Sequence, residues 1–213
     1  MRRVLLALGA AAALAGCNTV SSTEPVFTAA DAAGAPALRD GLWAAPEADC
    51  RFNASRPVQV WPDCVEPILV RGGEFLTLSE PEGEPARWES TPFVLAAGEP
   101  RILQFRSTYR EDGQERVVYR FLAAEPVRTD EAGRVTALRR WFVLCGPLPP
   151  EPKHRKKSDP PRRWVTDKPF PGLTLEGDGC TPADAAAVRN AAAASRGLDD
   201  EPSEIRWVRD TLP

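Results

Sequence analysis

From about Leu38 to Cys145 the chain is a succession of short apolar runs broken by Pro and Gly, and within the runs hydrophobic and polar residues alternate. A period of two is the pattern of half-buried strands. It predicts strands at Pro57–Trp61, Ile68–Arg71, Glu74–Leu78, Trp88–Leu95, Ile102–Tyr109, Arg116–Ala123 and Arg134–Cys145. The clearest pair brackets Glu111-Asp112-Gly113-Gln114. On one side Leu103, Phe105 and Tyr109 alternate with Gln104 and Arg106; on the other Val117, Tyr119 and Phe121 share a face. Opposed residues of a hairpin share a face, so an odd-numbered loop is expected, with Phe105 opposite Phe121 and Tyr109 opposite Val117. The stretch Arg128 to Gly133 reads as another turn. The strand after it is apolar on both faces near Trp141–Cys145, which predicts a position covered on both sides.

Beyond Cys145 the pattern changes. Residues 147–171 are dense in proline and charge and read as an excursion or disordered loop. A helix is expected at about 182–196. Thr181 suits its N-cap, Pro182 its first position and Asp184 its first turn; an alanine-rich run follows to Ser195, and Gly197 ends it. Glu204–Val208 forms a final short strand. The expected class is α+β: an antiparallel sheet or small barrel with a C-terminal helix, in one domain over residues 38–210. Residues 17–37, rich in Ser, Thr, Ala, Gly, Pro and Asp, read as a flexible tether.

The first apolar run, Val4 to Gly16, would make a helix of only about 20 Å, short of the roughly 30 Å of a bilayer core. Behind Arg2 and Arg3 it has the form of a secretory signal peptide, residues 1–16, which is set aside in reasoning about the fold. Its ending, Leu14-Ala15-Gly16-Cys17, resembles the lipobox of bacterial lipoproteins. That resemblance implies cleavage before Cys17, a diacylglyceryl group on its thiol and a further acyl chain, such as palmitate, on its new amino group. Two or more chains anchor a protein stably. In that family an Asp directly after the cysteine favours retention in the inner membrane. Asn18 stands there, which implies the periplasmic face of the outer membrane.

The compartment sets the meaning of the other cysteines. Cys50, Cys64, Cys145 and Cys180 form an even set in an oxidising space and are expected as disulfides. Three connectivities are open. The sequential one, Cys50–Cys64 with Cys145–Cys180, closes loops of 15 and 36 residues and is favoured. No CxxC pair occurs and His154 is the sole histidine, so neither a metal site nor any cofactor is expected.

Charge adds one feature. The signal peptide carries Arg2 and Arg3 and no acid, so the net charge of −3 becomes −5 without it. Against that background Lys153, Arg155, Lys156, Lys157, Arg162 and Arg163 form a basic cluster in which Asp159 is the one acid. They are candidate anion-binding residues for an envelope polymer such as lipopolysaccharide or peptidoglycan, or for anionic lipid; the plainer alternative is a solvated loop. An envelope protein is the other candidate partner. Nucleic acid does not fit the compartment.

No GxSxG, HExxH or P-loop pattern is present, and cationic neighbours disfavour the protonated form of His154, so no catalytic activity is expected. Glu176-Gly-Asp-Gly179 reads as a turn before the helix. Gly41-Leu42-Trp43 resembles the GxW that opens lipocalins, which implies an antiparallel barrel and a small apolar ligand, with the tryptophans as candidate cavity lining. The leading expectation is a non-catalytic, outer-membrane-anchored binding or structural module. A lipocalin-like carrier is the first alternative and an envelope enzyme with a carboxylate site the second.

Overall fold

Residues alternate between two environments along the strands, and over much of the wall both are apolar. The computed structural model describes residues 18–79, 85–111, 113–150, 165–198 and 203–210. The strands among them are β1 (Ser21–Ser22), β2 (Gly41–Pro46), β3 (Val65–Arg71), β4 (Glu74–Ser79), β5 (Arg87–Ala96), β6 (Arg101–Glu111), β7 (Gln114–Thr129), β8 (Val135–Phe142), β9 (Leu173–Glu176), β10 (Gly179–Pro182) and β11 (Ser203–Arg209). The helix α1 spans Ala185–Ser195. Strands β2 to β8 pair in sequence, antiparallel throughout. β11 pairs with both β8 and β2, so the eight strands close into a barrel. Closure removes the free edges that an open sheet leaves unpaired.

Inward-facing residues form one cluster, which includes Trp43, Val70, Leu95, Val135, Leu138 and Ile205. Two other clusters lie outside the barrel wall. One joins Phe121, Ala123, Trp141 and Val143 to α1, to Phe27 and to Cys180. The other covers Leu42, Ala44 and Val65 with Val58 and Trp61 of the loop between β2 and β3. The helix presents Ala187, Val188, Ala191 and Ala192, a stripe of small side chains at helical spacing that lets it lie close against the wall. Ser195 at its end accepts from the Leu144 N–H at 2.9 Å and donates to the Ala191 carbonyl at 2.7 Å.

The double burial corrects the expected hairpin register. Phe105 lies opposite Arg120 and Tyr109 opposite Arg116, because β6 and β7 turn through two residues between Glu111 and Gln114. Two-residue loops are the commonest hairpins, and Gly113 supplies the positive φ, +78°, that they need. Phe105 and Leu103 face into the barrel, whereas Phe121 faces outward against Phe27, with ring centroids 6.2 Å apart. The aromatic residues were never meant to share a face, since each face has its own core.

Residues 18–37 are not a loose tether. Val20 and Phe27 are each 1 % exposed within the outer core. β1 pairs with β7 where β7 and β8 diverge. The Gln104 carboxamide accepts from the Val26 and Phe27 N–H groups and donates to the Phe27 carbonyl, each at 2.8 Å. A few apolar side chains and one buried amide suffice to dock the segment, and composition does not register so sparse a signal.

Three further expectations change. Pro57–Trp61 is no strand but a 3-10 turn over Val58–Val60, held in a loop stapled by a disulfide and lacking a partner strand. The helix begins at Ala185, with Asp184 as N-cap accepting from the Ala187 N–H at 2.8 Å; Thr181 and Pro182 belong to β10. Within 147–171, Val165 and Thr166 are buried, and the Phe170 N–H donates to the Cys145 carbonyl at 2.7 Å, so this part of the excursion is tied to the fold.

Gly41 opens β2 with φ +127°, and a Cβ there would run into the Arg209 carbonyl and lie 2.8 Å from Trp207 Nε1. Gly41→Ala is therefore expected to cost about 2–4 kcal/mol, read as a lower urea midpoint. A change below about 0.5 kcal/mol would mean that β11 does not pack against β2 as described.

Candidate functional site

One end of the barrel is packed around Trp43, beside a depression of about 530 Å³ lined by residues including Leu38, Val70 and Leu95, and a hollow opens toward the other end. At the packed end Trp43 is fully buried and donates from Nε1 to the Arg39 carbonyl at 2.9 Å. The Arg39 guanidinium lies over the Trp207 ring, 3.7 Å from its centroid. Toward the other end the inward side chains of β3 to β8 and β11 leave a cup of about 370 Å³. That size falls within the range of small-molecule sites. Its floor and walls are Ile68, Phe75, Leu103, Phe105, Leu122, Leu138 and Ile205; its polar positions include Glu66, Thr77, Thr91, Ser107 and Arg140. The alternation of each strand delivers these residues to one place. Ile68 opposes Thr77, Phe75 opposes Thr91 and Leu138 opposes Ile205, so apolar and hydroxyl side chains meet across the ladders.

Arg106 and Arg140 are the cationic residues in the cup's lining, and Arg140 is held by two polar partners. It is about one-quarter exposed and reaches the Glu66 carboxylate at 3.4 Å. Its Nε donates to the Ser203 hydroxyl at 2.9 Å. A broader depression of about 600 Å³ shares Glu66 and Arg140 with the cup and continues over Glu47, Asp63, Ser203, Glu204 and Arg206. That depression is rich in charge, whereas the cup is mainly apolar. The arrangement suits an apolar body below a polar head.

Among the described residues, the two carboxylates whose acidity is displaced serve loops instead. Hydrogen bonds from the Thr28 backbone and hydroxyl hold Asp31 below the ordinary carboxylate value. For Asp130, desolvation acts upward, but the hydrogen bonds and charge of Arg134 outweigh it and leave the value lowered. Neither residue lines the cup.

A second constellation surrounds Asn18, which is 2 % exposed. Its N–H donates to the Asp178 carbonyl at 2.6 Å and its carbonyl accepts from the Cys145 N–H at 2.8 Å. Its side chain donates from Nδ2 to the Gly146 carbonyl at 2.8 Å and accepts at Oδ1 from the Thr166 N–H at 2.9 Å. Every polar group of this residue is satisfied, and its φ of +66° is one that Asn tolerates.

Residues 1–18 match the family described as the prokaryotic membrane lipoprotein lipid attachment site. The chain is a bacterial lipoprotein. Comparison with curated proteins and with solved structures found no match. Cys17, the cysteine within the attachment site, lies outside the described residues, as do Lys153, Arg155, Lys156, Lys157, Arg162, Arg163 and His154. Gly146 and Thr166, which flank that basic stretch, are both bonded to Asn18. The four remaining cysteines of the lipoprotein pair as Cys50–Cys64 and Cys145–Cys180, the sequential connectivity.

Among the described residues, no tryptophan lines the cup. Trp43 seals the packed end, Trp61 and Trp88 pack outside β2 and β3, and Trp141 lies under α1, donating to the Ala192 carbonyl at 2.9 Å. Trp164 lies outside the described residues. Phe75 and Phe105 supply the cup's aromatic surface instead. Their alternation with polar neighbours was visible in the sequence, but their convergence needs the barrel to close.

Proposed function

We propose that this lipoprotein is a non-catalytic binding protein at the periplasmic face of the outer membrane, and that its barrel holds a small, mainly apolar molecule with a polar head. The observation that carries the reading is the half-filled barrel: an apolar cup with hydroxyls and the Glu66–Arg140 pair among its polar positions. Gly41-Leu42-Trp43 lies on β2 with Trp43 at the sealed end, which agrees with a lipocalin-like arrangement. The lipid attachment site supports the membrane location, and Asn18 after Cys17 supports the outer membrane.

The test is titration of the lipidated protein in detergent with a fluorescent naphthylamine dye, followed by displacement with a medium-chain fatty acid. Thr91→Trp, which fills the cup from a half-buried position, is expected to reduce dye binding at least about 10-fold, equivalent to about 1.4 kcal/mol, with little change in melting temperature. Arg140→Gln is expected to weaken the acid more than the neutral dye. Equal binding by wild type and Thr91→Trp would remove the cup as the site.

A further inference from the structure

The lipid attachment site and the buried Asn18 are adjacent in the chain, and that adjacency constrains how the domain stands on its membrane. Consecutive Cα atoms are about 3.8 Å apart, so residue 18 has no freedom to leave the level at which residue 17 is anchored. Asn18 itself is fixed to three separate parts of the fold: the turn between β9 and β10, the Cys145-Gly146 segment after β8, and Thr166. The next residues add no slack. The Thr19 carbonyl accepts from the Cys180 N–H at 3.3 Å, and Val20 is buried, with its N–H donating to the Val143 carbonyl at 2.9 Å.

We infer that the folded domain docks directly on the bilayer that holds its acyl chains, through the face around Asn18, and does not hang from a spacer. Two of the large exposed apolar side chains belong to the segments that hold this point. Leu148, 41 % exposed, follows Gly146 by two residues. Leu175, 39 % exposed, pairs across the β9–β10 hairpin with Cys180, the residue bonded to Thr19. A scattered exposed leucine is ordinary. Here the covalent anchor brings both to the headgroup layer, where their burial favours one orientation. The partner is a phospholipid surface, and the inference rests on the attachment site and the fold, not on the cup.

The two geometries differ by a measurable distance. A flexible tether spanning residues 18–37 would have an r.m.s. length of about 25 Å, whereas direct docking leaves no water layer. Neutron reflectometry of the full-length lipidated protein in a supported bilayer of phosphatidylethanolamine and phosphatidylglycerol reads this gap. The wild type is expected to show protein density against the headgroups. A variant with about 15 Gly and Ser residues inserted between Cys17 and Asn18 should retreat by up to about 20 Å. The insertion leaves every Asn18 hydrogen bond possible, so its melting temperature should match the wild type. On vesicles of the same lipids, amide exchange near Leu148 and Leu175 should be several-fold slower in the wild type than in the insertion variant. A hydrated gap of tether length under the wild type would overturn the inference, as would equal exchange in the two proteins. Loss of dye binding to the cup would leave it untouched.

Discussion

Asn18→Ala is expected to lower the melting temperature of the lipidated protein in detergent by about 5–15 °C. The estimate follows from what the substitution leaves behind. The Gly146 carbonyl and the Thr166 N–H lose their partners in a site with almost no access to water. Each orphaned group costs about 1–3 kcal/mol, and 1 kcal/mol shifts a domain of this size by about 2–4 °C. Alanine also adopts the left-handed backbone of residue 18 less readily than asparagine. Asn18→Asp should be at least as damaging, because a carboxylate oxygen would replace the donor facing the Gly146 carbonyl. That substitution also changes the position implied to govern sorting. A mislocalised Asp variant would therefore have two candidate causes, a changed address and a broken clamp. The Ala variant separates them, since it breaks the clamp without introducing the acid. A melting temperature within about 1 °C of wild type would show that the N-terminal segment is not docked as described.

Removing the Cys145–Cys180 bond as the Ala pair should cost about 4 kcal/mol on the loop-entropy account, against about 3 kcal/mol for Cys50–Cys64 with its shorter loop. Alanine is the right replacement because both positions are buried and a serine hydroxyl would lack a partner there. The physical effect extends beyond loop closure. Cys145 donates to the Asn18 carbonyl and Cys180 to the Thr19 carbonyl, so the bridge clips the β9–β10 hairpin and the segment after β8 around the start of the described chain. The losses from Asn18→Ala and from the cysteine pair should therefore combine to less than their sum, since both loosen the same junction. Strict additivity in a double-mutant cycle would mean that the bridge stabilises only through the unfolded chain.

Much of the strand content was legible because period-two alternation is a local signal. Strands β4, β5 and β6 begin and end within a residue or two of the expected positions. The disulfide pairing was also the favoured reading. What misled was the assumption that a strand has one wet face. The outward row containing Gln104, Tyr119 and Phe121 is covered by the N-terminal segment and α1, so apolar residues fall on both faces and cannot set the register. Turn chemistry at Gly113 set it instead. The cup was only half legible: Leu103, Phe105 and Leu138 were recognisable as strand residues, while Glu66 and Arg140, far apart in the chain, gave no sign of meeting.

By itself the sequence determined the lipid attachment site, most strands of the barrel wall, β2 excepted, and a helix near the C-terminus. These are local properties, written in a charged start, a short apolar run, a cysteine and the spacing of side chains. Only the tertiary structure decided that the wall closes, that one end stays hollow and that residues 18–37 belong to the fold. Those outcomes depend on β11 reaching both β8 and β2, and on Gln104 and Asn18 finding backbone partners across long stretches of chain. No local pattern records such a meeting, because its free energy exists only once distant segments share the same water-excluded space.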